Sequence, residues 1–308
     1  MPPRAEAPSE YLVVAGATAV GKTEVAIRLA ERLGGEIVIA DSRQVYRGIE
    51  LGTAKPSAAD RARVPHHLLD VVDLGERYTA ADFAADAGTA IAAIQSRGRV
   101  PVVCGGTGLY LAALAGALDP IEEEVDESAR ESARSRVAAI PVEERHGALA
   151  RWDPVTAGRL HAADRQRVDR ALEVWFMTGE PLSARQAGGS APRAHLAVRL
   201  ERSREELVER IDRRLRTMLA AGLEREAREL WEAGWSPSDP GLDTIGYQEW
   251  WPFFEGTRGR EETVAEILTA TIRYAKRQST WFRNQGAYLP LPAERATEAA
   301  ADLWKRSR

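Results

Sequence analysis

The sequence predicts an α/β fold: a parallel sheet flanked by helices, interrupted by an all-helical insertion. Three observations predict it. Short apolar runs ended by glycine or by an acid recur at residues 11–16, 36–41 and 99–106, the texture of strands buried on both faces. Segments of helical periodicity separate them, and strands alternating with helices call for a parallel sheet covered on both sides. From about residue 119 to 189 the apolar runs stop, and acids, arginines and alanines at helical spacing take their place.

Residues 1–10 are polar and proline-rich and read as a disordered leader. YLVVAG (11–16) is the first strand. Val25, Ala26, Leu29, Ala30 and Leu33 then fall on one face of a helix from Lys22 to Leu33, with Gly34 and Gly35 as its stop. EIVIAD (36–41) is a second strand and finishes on Asp41. Thr79 and Asp82 have the capping-box spacing that opens a helix before Phe83 to Ile94, and RVPVVCGG (99–106) is the third strand. After the insertion, AHLAVRL (194–200) returns to the sheet. Ser203 and Glu206 repeat the capping-box spacing at the head of a long amphipathic helix that Gly222 ends, and the remainder reads as mostly helical. The expected organisation is a catalytic core over residues 11–118 and 190–308 around an insertion at 119–189.

Composition excludes several classes. Charged residues make up 29% and hydrophobic ones 44%, ordinary for a folded globular chain. No apolar run approaches the length of a membrane span and no signal peptide opens the chain, so a soluble cytoplasmic protein is expected. The single cysteine, Cys104, rules out an internal disulfide framework and reads as a small buried hydrophobe. The net charge of −4 does not advertise nucleic-acid binding, yet Arg273 to Arg283 carries four basic residues and no acid, a local patch that whole-chain charge hides.

Gly16-Ala17-Thr18-Ala19-Val20-Gly21-Lys22-Thr23 matches G-x-x-x-x-G-K-[ST] between a strand and a helix, which makes the expected sheet P-loop NTPase-like. In that setting backbone N–H groups turn inward around a phosphate chain and the helix N-terminus adds positive potential. Lys22 supplies a point charge, and the Thr23 hydroxyl can ligate Mg²⁺. The loop alone means a diphosphate or triphosphate, with ATP as the default ligand. Asp41 allows two readings: a Mg²⁺-holding acid at a strand end, or a general base acting on a nucleophile beside the phosphates. Ser42-Arg43-Gln44-Val45-Tyr46-Arg47 after it offers hydrogen-bonding and stacking groups suited to a nucleobase. His66 and His67 suggest a metal pair at first sight, but adjacent strand positions face opposite ways and no cysteine or acid cluster accompanies them.

G-A-T-A-V-G-K-T, D-S-R-Q-V-Y-R-G, G-T-A-K-P and G-G-T-G-L-Y together resemble the bacterial tRNA dimethylallyltransferases. D-R-Q-R-V-D-R-A-L-E-V, T-G-E-P-L-S, I-G-Y-Q-E and R-Y-A-K-R-Q-S-T-W-F-R extend the resemblance in the family's order from residue 16 to residue 283. The resemblance implies transfer of the dimethylallyl group of dimethylallyl diphosphate to N6 of the adenosine at tRNA position 37, releasing diphosphate, with Mg²⁺ as cofactor and a monomer as the working unit. It implies Asp41 as general base, Thr107 as a contact to the acceptor adenosine and Arg214 as the diphosphate arginine, although Arg213 or Arg216 on the same basic helix could serve instead. The diphosphate grip would be Gly16, Ala17, Thr18, Ala19, Val20, Gly21, Lys22 and Thr23, with Thr23 also on the metal. For tRNA it implies Asp41, Ser42, Arg43, Gln44, Thr107, Arg130, Gln166, Arg167, Val168, Asp169, Arg170, Thr244, Ile245, Gly246, Tyr247, Gln248, Glu249, Arg277, Thr280 and Arg283. Trp281 and Phe282 read as core packing rather than as base-stacking platforms. Two departures stand out: Ala17 where the family usually has proline, and Ala162-Ala163 in place of Pro-Asn, which puts local helix capping in question. The rival is a P-loop kinase using ATP, which shares the fold and the chemistry of Lys22 and Thr23.

Overall fold

The computed structural model describes residues 10–116, 126–187, 195–285 and 287–307. The expected leader, apart from Glu10, and both ends of the expected insertion lie outside the described residues. The chain divides into two compact units, residues 1–114 with 193–308, and residues 115–192.

The first stretch runs β1 (Tyr11–Ala15), α1 (Lys22–Leu33), β2 (Gly35–Ala40), α2 (Ala58–Arg63), β3 (His66–His67), α3 (Ala80–Ser96), β4 (Val100–Gly105) and α4 (Gly108–Leu114). The middle is helical: α5 (Glu127–Ala138), α6 (Arg145–Trp152), α7 (Pro154–Arg159), α8 (Arg165–Thr178) and α9 (Leu182–Ala187). The last stretch contains β5 (His195–Glu201), α10 (Arg204–Ala221), α11 (Leu223–Glu232) and a 3₁₀ turn at Gln248–Trp250. It ends with α12 (Trp251–Phe254), α13 (Arg260–Asn284), β6 (Leu289–Pro292) and α14 (Ala296–Arg306).

The six strands form one sheet in the order β3-β2-β4-β1-β5-β6, and every pairing is parallel. Because successive strand residues face opposite ways, the sheet builds two cores. Leu12, Val14, Ile37, Ile39, Val102, Cys104, Val198 and Leu200 pack with the apolar face of α1 and with α14. Val13, Ala15, Val38, Ala40, Val103 and Ala197 pack on the other side with Phe83, Tyr110, Leu111 and Phe282. Phe282 is buried and Trp281 packs at the edge of this cluster, as their reading as core residues required. Both capping boxes form, Thr79 with Asp82 and Ser203 with Glu206, and Gly34 and Gly222 end their helices in the left-handed conformation.

The edge strands escape the sequence reading. β6 contains Pro290 and Pro292, and two residues without an N–H are best tolerated at a sheet edge, where half the backbone groups need no partner. The segment after Gly222 is mostly helical, as expected, with this one strand set into it. At the opposite edge β3 is two residues long, and His67 there bonds the buried Glu36 through Nε2 at 2.7 Å. Among the described residues no helix is long and apolar enough to cross a membrane.

The second unit has its own core, in which Val137 of α5, Leu149 of α6 and Val168 and Leu172 of α8 pack together. Asp153 is almost wholly buried; it caps α7 through Thr156 N at 2.9 Å and also accepts from Ser183 N at 2.9 Å and Ser183 Oγ at 2.7 Å. Burial pushes its carboxyl up, but these hydrogen bonds outweigh burial and hold it below the usual carboxylate range. The T-G-E-P-L-S motif is thus a fastening: Gly179 ends α8 at φ 73° and Ser183 ties α9 back to Asp153. The helix start after Ala162-Ala163 keeps its cap, because Asp164 accepts from Arg167 N at 3.4 Å.

Candidate functional site

The C-terminal ends of β1, β2 and β4 carry three turns that converge. The first is the glycine-rich loop between β1 and α1, where φ reaches 145° at Gly16 and 107° at Gly21, values that side chains rarely tolerate. Ala19 is held at φ 63°, a strained conformation for a residue with a Cβ. Its neighbours over-determine it. Arg210 of α10 donates from Nε to Ala19 O at 2.7 Å, and Arg202 donates from Nε to Val20 O at 2.9 Å.

Lys22 Nζ donates to Ala17 O at 2.9 Å, folding the side chain over its own loop. Burial lowers its pKa, the nearby Cys104 and Asp41 oppose that shift, and Arg214 adds to it. Arg214 donates from Nη2 to Thr18 Oγ1 at 2.7 Å. Its own pKa is lowered, first by desolvation, with Asp41 opposing and Arg210 reinforcing; a guanidinium starts so high that it stays charged. The choice among three arginines is thereby narrowed. Arg213 and Arg216 are exposed, and Arg216 pairs with Asp212 at 2.9 Å on the outer face of α10. Arg210 and Arg214, four residues apart, share the face toward the loop.

The second turn follows β2. Asp41 is the first residue past the strand, and its Oδ1 accepts from Arg43 N at 3.0 Å. The third follows β4, where Thr107 Oγ1 accepts from Ser42 N at 3.0 Å and lies 3.3 Å from Ser42 Oγ. β2 and β4 are neighbours in register, Ala40 opposite Gly105, so Asp41 and Thr107 emerge side by side. Tyr274 of α13 closes over them, its hydroxyl pushed up to about 12 by burial and by the Asp41 carboxylate. Cys104 lies beneath, buried as expected and pushed up to about 12 by desolvation. One carboxylate and one hydroxyl thus lie beside a loop edged by a half-buried lysine and a half-buried arginine. On the β5 side of the loop a cleft of about 490 Å³ opens between Gly16, Ala17, Arg202, Ser279 and Arg283.

The other sequence-predicted residues separate into groups. Gln44 is buried and its amide donates to Thr53 O at 3.0 Å and Ala54 O at 3.2 Å, so it fastens the turn rather than facing outward. Arg43 donates to Pro240 O at 3.0 Å and lies 3.6 Å from Asp243. Thr244, Gly246, Tyr247 and Glu249 are buried, leaving Ile245 and Gln248 half-exposed. Tyr247 Oη accepts from Gly52 N at 2.9 Å and donates to the Glu226 carboxylate, which also accepts from Glu50 N at 3.1 Å. Arg277, Thr280 and Arg283 are exposed along α13 with Arg273 and Lys276, a basic face. In the second unit Gln166 and Arg167 are exposed on α8, while Val168 is buried and Asp169 accepts from Arg145 Nη1 at 2.7 Å. Arg170 lies 3.5 Å from Glu173, and Arg130 is half-buried on α5.

Sequence reasoning missed Arg202, Arg210, Tyr274 and Gln278. Gln278 and Tyr274 stand one turn apart on the inner face of α13, with the buried Ala275 and Phe282; a polar residue in an apolar stripe is the signal that could have found them.

A family model described as IPP transferase matches residues 44–285. The chain is 47% identical over 293 residues to the tRNA dimethylallyltransferase of Halorhodospira halophila, covering 94% of each. It is 44% identical to that of Geobacter sulfurreducens, covering 91% of this chain and 90% of the relative. Among solved structures it is similar to the full-length tRNA isopentenylpyrophosphate transferase of Bacillus halodurans, with a TM-score of 0.71, 34% identity and 97% of each chain covered. A eukaryotic dimethylallyltransferase crystallised acting on tRNA gives a TM-score of 0.80 at 28% identity, covering 95% of this chain and 77% of that one.

Proposed function

The chain belongs to the IPP transferase family, and on that premise we propose that it transfers the dimethylallyl group of dimethylallyl diphosphate to N6 of an adenosine in tRNA, at position 37 beside the anticodon. The observation that carries the reading is the meeting of Asp41 and Thr107, at neighbouring strand ends, with the loop that Lys22 and Arg214 edge. In the reaction the bond from the allylic C1 to the diphosphate oxygen breaks while the bond from N6 to C1 forms. An exocyclic adenine amine is a weak nucleophile, and Asp41 takes its proton as it acquires positive charge. Thr107 holds the acceptor base through its hydroxyl. The charge that develops on the departing diphosphate meets Lys22, Arg214 and the loop N–H groups, placed before the reaction begins.

Mg²⁺ fits the donor set. Among the described residues no group of three His, Cys, Asp or Glu side chains is gathered to hold a metal. What the loop offers is the Thr23 hydroxyl on the first turn of α1, and Mg²⁺ typically takes one or two protein oxygens, keeping water and substrate phosphates for the rest. Bound there, the ion would neutralise charge on the diphosphate oxygens.

The acceptor adenosine has to leave the anticodon-loop stack to reach Asp41, as bases do for enzymes that act on them. The exposed basic face of α13 and the exposed Gln166 and Arg167 of α8 are the surfaces we assign to the tRNA backbone. Cytoplasmic action as a monomer belongs to the same proposal. The P-loop kinase reading is not favoured, since the relatives are tRNA dimethylallyltransferases by name and not phosphotransferases. Incubation with radiolabelled dimethylallyl diphosphate, Mg²⁺ and unmodified tRNA should place label in tRNA. Label in AMP instead, or phosphoryl transfer from ATP, would overturn the reading.

A further inference from the structure

We infer that Gln278 is a positioning residue that sets the register between the diphosphate loop and the acceptor turn; the inference rests on the reading above. The residue is 7% exposed, and its carboxamide uses both ends. Oε1 accepts from Thr18 N at 2.8 Å, and Nε2 donates to Gly106 O at 2.8 Å. Thr18 is the loop residue whose hydroxyl holds Arg214, and Gly106 directly precedes Thr107, whose hydroxyl holds Ser42 beside Asp41. One side chain therefore joins the turn after β1 to the turn after β4. The two turns carry the groups proposed for the leaving diphosphate and for the incoming amine.

Gly106 fits this role by its lack of a side chain. A Cβ there would collide with Gln278 Nε2 and would come within 3.3 Å of both Lys22 Nζ and Gly16 O. The carboxamide, the ammonium and the loop backbone are packed with no room between them. Few side chains can replace Gln278. A carboxylate would set a negative oxygen against Gly106 O, and an apolar chain of equal length would leave a buried N–H and a buried carbonyl unpaired. Gln278 also lies on the inner face of α13, whose outer face is the basic stripe of Arg273, Lys276 and Arg277. A shift of this helix on RNA contact would reach both turns through one residue.

Transfer requires the allylic carbon and the amine at near-attack distance, and a displacement of about 1 Å can cost on the order of 100-fold in rate. The test compares Gln278→Met, which keeps length and burial but loses both bonds, with Gln278→Glu, which keeps the acceptor for Thr18 N and loses the donor to Gly106 O. Each variant is measured for melting temperature, tRNA affinity and steady-state transfer from labelled dimethylallyl diphosphate. A positioning role lowers kcat per folded molecule about 10- to 100-fold in both variants, while tRNA affinity stays within about 3-fold. Folded variants with kcat within about 2-fold of the parent, whatever their melting temperatures, would overturn it. If Gln278→Met does not fold, Gln278→Glu decides alone. An inactive parent protein in the same assay would instead defeat the functional reading, so the two failures are distinct.

Discussion

Gly16 to Thr23 and Thr244 to Glu249 are equally distinctive stretches of sequence, yet their side chains do opposite things. Around the first, Lys22, Arg214 and the backbone of a strained loop stand beside the strand ends that carry Asp41 and Thr107. In the second, Thr244, Tyr247 and Glu249 turn inward, and Tyr247 spends its hydroxyl on Gly52 N and Glu226. That brace acts at a distance: it fixes residues 50–53, Gln44 grips Thr53 O and Ala54 O, and the turn bearing Asp41 is held from behind. A motif that identifies a family can thus be a support for the site rather than a surface of it. The difference is measurable, because a contact residue changes turnover and a brace changes stability.

The largest effect expected is at Asp41. Asp41→Asn keeps the side-chain shape and the hydrogen bond from Arg43 N while removing the base, and transfer should fall about 10²- to 10⁴-fold with the melting temperature nearly unchanged. Unaltered single-turnover labelling of tRNA by this variant would sink the general-base role. Next comes the arginine pair of α10. Arg214→Ala should cost about 10- to 10³-fold in kcat/KM for the diphosphate donor, whereas Arg213→Ala and Arg216→Ala should stay within about 3-fold, being exposed. Equal losses at all three would mean that α10 acts through its summed charge and not through the bond to Thr18.

Lys22 adds a pH signature. Burial lowers its pKa, so its charge is fully present at low pH and is lost as pH rises through a value below the ordinary lysine range. The alkaline limb of kcat/KM for the donor, which reports the free enzyme, should begin below that range and should move upward in Lys22→Arg, whose guanidinium does not titrate there. A limb that does not move would detach Lys22 from donor binding.

What was legible in the sequence follows from chain locality. The P-loop, both capping boxes and Gly34 and Gly222 are contacts over a few residues, and each formed where its spacing put it. The interrupted sheet was legible because its strands are continuous apolar runs. β6 was not, since Leu-Pro-Leu-Pro carries no strand signal and is a strand only because β5 offers it an edge. The clamps on the loop were invisible for the same reason. Gln278 lies 260 residues from Thr18, and Arg210 lies 191 residues from Ala19. No local pattern marks such a bond; only a polar residue in the buried stripe of α13 hinted at one.

The inward motif should fail differently. Tyr247→Phe removes one hydroxyl, leaving Gly52 N without its acceptor and the Glu226 carboxylate without one donor. An unsatisfied buried group costs roughly 1–3 kcal/mol, so thermal or urea unfolding should show a loss of that size. Transfer per folded molecule should fall only a few-fold. A loss of turnover as large as that of Arg214→Ala, with stability intact, would make Tyr247 a contact residue and erase the contrast.

The smallest effect expected is on the second unit, at Arg167. Its side chain is 69% exposed and its ion pair with Asp164 is loose at 3.5 Å, so removing it should leave stability within about 0.5 kcal/mol. If Arg167 meets a tRNA phosphate, Arg167→Ala should weaken tRNA binding several-fold at low salt and reduce the salt slope of log affinity by about 1. Donor KM in the presence of saturating tRNA should not change. A base-reading role would instead weaken binding to one tRNA far more than to another with the slope intact. Filter binding across a salt series therefore separates the two, and either result extends the contrast: Arg167 acts through an exposed charge, Tyr247 through a buried bond.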